Sequence, residues 1–169
     1  MKLLLCLCAL ILSTSVLAQE LSLRNLLKLR KLELAQINRK LSGKGWQFVS
    51  DSKPTDATMG KAIWAYHPMG ESSTAWCIIY YNHTSPSRIL YNISGGKAIQ
   101  KIQKKIEKRK MSVWEEGQQQ DAGQFLGTFS DYADDKHVMR LLKYVQPNYY
   151  GIKIFMREDY LKAKENGRL

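Results

Sequence analysis

The sequence predicts an exported α+β protein, a tandem duplication of an α-β-β-β-β unit whose antiparallel sheet or sheets carry the helices on one face. Three observations carry this reading. An apolar leader opens the chain, eight short strand-like runs follow with helical periodicity only before the first and the fifth, and the chain matches itself at offsets of 61 to 65 residues. A chain of 169 residues with 44% hydrophobic and 24% charged residues can bury one core, which excludes a disordered or fibrous polymer.

Residues 1–18 read as a secretory signal peptide. Lys2 gives a positive start, Leu3 to Leu12 form the apolar run, and Val16-Leu17-Ala18 place small residues before a cut at Gln19. That run is too short to span a bilayer, and no later run approaches the roughly 20 apolar residues a span needs. The expected destination is the periplasm or the cell exterior of a bacterium, with no transmembrane segment in the mature chain. Removing the leader takes away Cys6 and Cys8 and leaves 25 Lys and Arg against 15 Asp and Glu. Cys77 then stands alone, so the fold must rest on its core rather than on a disulfide framework.

The first repeat is expected over residues 19–95. Its helix runs from about Leu21 to Leu41, with Leu23, Leu27, Leu34, Ile37 and Leu41 near one stripe, and Ser42-Gly43-Lys44-Gly45 supplies a stop. Strands follow at Trp46–Ser50, Ala62–His67, Ala75–Asn82 and Arg88–Ile93. The second repeat, 96–156, opens with a helix from about Lys97 to Lys110 that buries Ile99, Ile102 and Ile106, followed by strands at Ser112–Glu116, Gln124–Ser130, Val138–Val145 and Tyr149–Met156. These runs are rich in Trp, Tyr, Ile and Val and are parted by Gly, Pro, Asp or Ser. A tail, 157–169, can add a short helix.

The self-alignment is specific about residues. At offset 65, Ile37, Leu41 and Phe48 fall on Ile102, Ile106 and Val113. At 63, Tyr66 falls on Phe129 and Ile79 on Leu142. At 61, Ile89, Tyr91 and Ile93 fall on Tyr150, Ile152 and Ile154. This tandem layout resembles that of the secreted beta-lactamase-inhibitor proteins in arrangement alone, and the single cysteine of the mature chain departs from their disulfide-containing pattern.

No catalytic or metal motif accompanies the fold. His67, His83 and His137 sit at strand ends or turns without a ligand partner at metal spacing, and Cys77 lies inside an apolar strand. The cluster Asp131-Tyr132-Ala133-Asp134-Asp135 lacks the spacing of a calcium loop and reads as a solvated turn. Glu115 and Glu116 point to opposite faces of a strand and cannot pair. The expectation is therefore a non-enzymatic binding protein without cofactor. A small hydrolase with a dispersed site is the enzymatic alternative.

Two surfaces compete for the binding role. Trp64 and Tyr66 on one strand, with Trp76 and Tyr80 on the next, offer an aromatic sheet face suited to a protein partner, in one version as an inhibitor. Lys101, Lys104, Lys105 and Lys108, within a helix holding one acid, offer a basic face for anionic lipid, acidic glycan or another polyanion. Nucleic acid is not the expected physiological partner of an exported chain that carries none of its module signatures.

Overall fold

A computed structural model describes residues 20–169 apart from Ala122 and Arg168. The expected signal peptide lies outside the described residues. All eight expected strands form, as β1 (Trp46–Ser52), β2 (Gly60–Tyr66), β3 (Ala75–Tyr81), β4 (Arg88–Ser94), β5 (Ser112–Asp121), β6 (Gln124–Ala133), β7 (His137–Tyr144) and β8 (Tyr149–Met156). They make one antiparallel sheet in the order β1-β2-β3-β4-β8-β7-β6-β5, so two four-stranded meanders meet where β4 pairs β8.

The first helix is two helices. α1 spans Leu23–Leu29 and α2 spans Leu34–Ser42. The Ser22 hydroxyl accepts the Asn25 N–H to start α1, and Arg30 ends it. Glu33 and Gln36 then form a reciprocal capping box that starts α2. The leucine stripe runs through this break and hides it: Leu23, Leu26 and Leu29 before it, and Ile37 and Leu41 after it, enter one core. α3 (Gly96–Lys108) follows the expectation and buries Ala98, Ile99, Ile102 and Ile106.

These three helices cover one face of the sheet. Beneath them lies a core of Trp46, Trp64, Tyr66, Cys77, Ile79, Ile89, Tyr91, Ile93, Met139, Ile152 and Ile154, with period-two alternation fixing which side chains enter it. A fourth helix, α4 (Arg157–Glu165), departs from the expectation that all helices share a face. Its Tyr160 packs on Val138 and Phe155, which point away from α1–α3. Residue parity forces this: Ile152 and Ile154 face the main core, so Lys153 and Phe155 face the other side.

Parity also corrects the self-alignment at offset 63. Tyr66 and Ile79 lie under the helices, whereas Phe129 and Leu142 lie on the opposite face. An odd offset there exchanges the two faces, so those pairs are not equivalent positions.

Candidate functional site: a basic groove between two helices

The chemistry-bearing side chains gather where α1 runs beside α3. Ser22, Leu23, Arg24, Leu27, Lys28 and Lys31 from the first helix and its flanking turns, and Lys105, Lys108 and Arg109 from the second and its C-terminal end, with His137 at the start of β7, line a groove of about 680 Å³. None of these residues is acidic. Among the described residues, Arg24, Lys28, Lys31, Lys105 and Lys108 make no ion pair, and only Arg109 is engaged, donating from Nη2 to Asp134 Oδ2 at 3.0 Å. Leu27, partly buried against the main core, and Leu23, buried in it, provide the apolar floor.

The spacing that builds the groove is written in both helices. Arg24 and Lys28 stand four residues apart on α1, and Lys101, Lys105 and Lys108 stand four and three apart on α3, so each set lies along one helix face, with Lys31 in the turn after α1. The helices turn their leucines and isoleucines inward, which leaves the cations outward. Lys28, Lys105 and Lys108 also fall in the last turns of their helices, where the backbone dipole favours positive charge. That placement supplies local tolerance for a cluster whose members repel one another.

His137 closes one end of the groove. Its Nδ1 lies 3.4 Å from Asp134 Oδ1, and burial pulls the imidazole below its usual pKa, opposed by that carboxylate. Its buried setting differs from the exposed turn expected for it. His67 and His83 are exposed. Among the described residues no three His, Cys, Asp or Glu side chains come together as a metal cluster. Cys77 is fully enclosed in the core, and burial pushes its thiol up to about 12, well away from thiolate chemistry at neutral pH.

The expected site residues divide sharply. Lys105 and Lys108 line the groove, Lys101 pairs with Glu20 beside a neighbouring small cavity, and Lys104 is exposed outside both. Trp64 and Tyr66 are core residues: Trp64 has no exposed surface, and its Nε1 donates to Asn38 Oδ1 at 3.1 Å. They are unavailable to a partner because α2 and α1 cover that face. Trp76 and Tyr80 are half-buried on the opposite face, so the four aromatics do not form one surface.

Of the acidic segment, Asp134 and Asp135 do lie in the turn between β6 and β7, but Asp131 does not. Asp131 is in β6, fully buried, and accepts from Arg140 Nε and Nη2 at 2.9 and 2.8 Å and from the Tyr160 hydroxyl at 2.6 Å. Sequence reading missed this because the partner, Arg140, lies nine residues away on the neighbouring strand. Glu115 and Glu116 do diverge, Glu115 toward Tyr160 and Lys164 and Glu116 toward Ser130.

No protein-family model, curated protein or solved structure matches the chain. Among the described residues no helix is long and apolar enough to cross a membrane.

Proposed function

We propose that this is an exported, non-enzymatic binding protein that docks on anionic lipid through the α1–α3 groove. The observation that carries the reading is the co-location of five cations that make no ion pair among the described residues, in a groove whose described lining holds no acid, around an apolar floor. Lipid phosphates would neutralise the cations while acyl carbons meet Leu23, Leu27 and the lysine stems. A purely hydrophilic polyanion would leave that floor unused, and so would an acidic protein surface.

Vesicle co-sedimentation tests this. The protein should bind vesicles containing phosphatidylglycerol, release them as salt rises, and ignore phosphatidylcholine vesicles. The double variant Lys28→Gln/Lys105→Gln should weaken binding about thirtyfold, at roughly 1 kcal/mol per cation near an anionic surface. Equal binding to both vesicle types, or an unchanged variant, would remove the groove from the account. Preference for soluble heparin over vesicles would assign it to acidic glycans instead.

The duplication belongs to the same proposal. β1 and β5 carry matching irregularities, Phe48/Ser50 and Val113/Glu115, which coincide at offset 65. Walking the ladders inward from them gives Phe48–Trp64–Cys77–Tyr91 in one half and Val113–Tyr132–Met139–Ile154 in the other. This supports a repeat that sets Tyr91 against Ile154 instead of the Ile152 given by offset 61. An experimental structure whose halves fail to superpose on these residues would refute it.

A further inference from the structure

The face of the sheet opposite α1–α3 carries two arginines matched to carboxylates and, between them, a lysine unpaired among the described residues. Arg88 of β4 donates from Nε and Nη2 to Asp159 of α4 at 2.7 and 2.9 Å. Arg140 of β7 is held by Asp131 in the same bidentate manner. Lys153 of β8 lies between them, directly opposite Arg140 in the ladder and opposite Leu90 on the other side. Among the described residues it makes no ion pair. Its amine sits 5.3 Å from the centre of the Tyr80 ring and 5.0 Å from that of Phe155.

Lys153 lines a cavity of about 280 Å³ whose walls include Leu90, Leu126 and Leu142, with Tyr144 and the amides of Gln119 and Gln120 at its polar side. Gln119 is fixed there, accepting from Arg140 Nη1 and donating to the Gln120 carbonyl. A half-buried ammonium whose nearest carboxylates, Asp159 and Asp131, are already held by Arg88 and Arg140, facing a cavity of mixed leucine and polar lining, is an incomplete ion pair. A second basic residue would be repelled there, and a neutral apolar ligand would leave the charge unmet.

We propose that this cavity binds a small monocarboxylate with an apolar tail, its carboxylate on Lys153 Nζ and its tail on Leu90, Leu126 and Leu142. The volume accommodates a short aliphatic chain and excludes a polymer. The site is separate from the basic groove, which lies across the sheet and opens to solvent along its length.

The ammonium must be charged to bind. Burial, with Arg88 and Arg140 nearby, lowers Lys153 to about 8, opposed by Asp159 and Asp131, so most molecules carry the charge at neutral pH and few do well above it. Tyr80, Tyr144 and Leu169 with its α-carboxylate also line the cavity and are the other titratable groups beside the amine. Burial holds the Tyr144 phenol protonated above its ordinary range.

The experiment is calorimetric titration of the purified protein with hexanoate at about pH 7 and at about pH 9.5, on either side of the lysine's titration. Saturable binding that weakens at the higher pH, and that falls about tenfold or more in Lys153→Met, is the expected result. The Lys28→Gln/Lys105→Gln variant should bind hexanoate as the parent does, which separates this site from the lipid-docking reading. No binding, pH-independent binding, or equal binding by Lys153→Met would overturn the proposal. If Lys153→Met does not fold, NMR of the dimethylated lysines in the parent replaces it. Hexanoate must then shift the Lys153 signal and raise its pKa, and an unmoved signal overturns the site.

Discussion

The two faces of the sheet are stabilised by different physics. Beneath α1–α3 the buried groups are almost wholly apolar, and Trp46, Trp64, Ile37, Leu41, Ile102 and Ile106 are among the largest enclosed side chains. Beneath α4, charged groups are enclosed beside Val138 and Phe155. Asp131, Arg140 and Asp159 are buried together with Tyr160, and the Arg140 guanidinium stands 3.8 Å from the centre of the Phe129 ring. Burial of apolar area is tolerant of small changes in geometry, whereas a buried ion pair depends on both partners. One face is therefore robust and the other is specific. The lone amine of Lys153 stands on the specific face.

Removing one partner of the buried pair breaks this contrast most severely. Asp131→Ala leaves Arg140 enclosed without its carboxylate and Tyr160 without its nearer acceptor, an expected loss of about 3–5 kcal/mol in urea unfolding. The double variant Asp131→Leu/Arg140→Met should recover most of that loss, because no charge is then left alone. A single variant as stable as the parent would mean that water reaches the pair, and the face would be polar rather than buried.

The apolar face should respond more gently to one substitution. Ile102→Ala empties a site that is 2% exposed between α3 and the sheet, and the expected loss is about 3 kcal/mol without change in the far-ultraviolet circular dichroism. Refilling with Ile102→Leu should restore most of it, since volume-conserving swaps in cores cost less than about 1.5 kcal/mol. A leucine variant as unstable as the alanine variant would contradict the tolerance claimed for this face.

What could be read from sequence follows the same division. Period-two runs bounded by Gly, Pro and Asp gave all eight strands, with Tyr149–Met156 found to the residue, because alternation reports directly on burial. The break between α1 and α2 was obscured, since the leucine stripe continues across it and only Glu33 and Gln36 mark the restart. The charged face was illegible for a further reason. Asp131 and Arg140 are nine residues apart on neighbouring strands, Arg88 and Asp159 are 71 apart, and nothing local says that such groups are buried. Aromatic residues misled in the opposite direction: Trp64 and Tyr66 share a face as expected, but which face the helices cover is decided by tertiary packing. The basic groove was half legible, because Lys105 and Lys108 were expected while their approach to Lys28 and Lys31 required the helix pair to be placed.

Lys153 supplies the smallest and most discriminating effect, in the pH dependence of stability. Its folded pKa of about 8 lies below the unfolded value of 10.5, so between these values the unfolded chain holds a proton that the folded chain has released. Stability therefore gains from this residue as pH rises from about 8 to about 10, by on the order of 2 kcal/mol, and the penalty of burying the ammonium is fully present below that window. Buried phenols act in the opposite sense at higher pH. Tyr91 and Tyr144 are held protonated by burial while their unfolded counterparts ionise, which erodes stability above about pH 10. The quantity to measure is thus the difference in unfolding free energy between the parent and Lys153→Met across that window. That difference should move in the parent's favour as pH rises and then level off. Parallel curves would show that the amine is hydrated in the folded state, and the incomplete ion pair on this face would no longer distinguish it from the other.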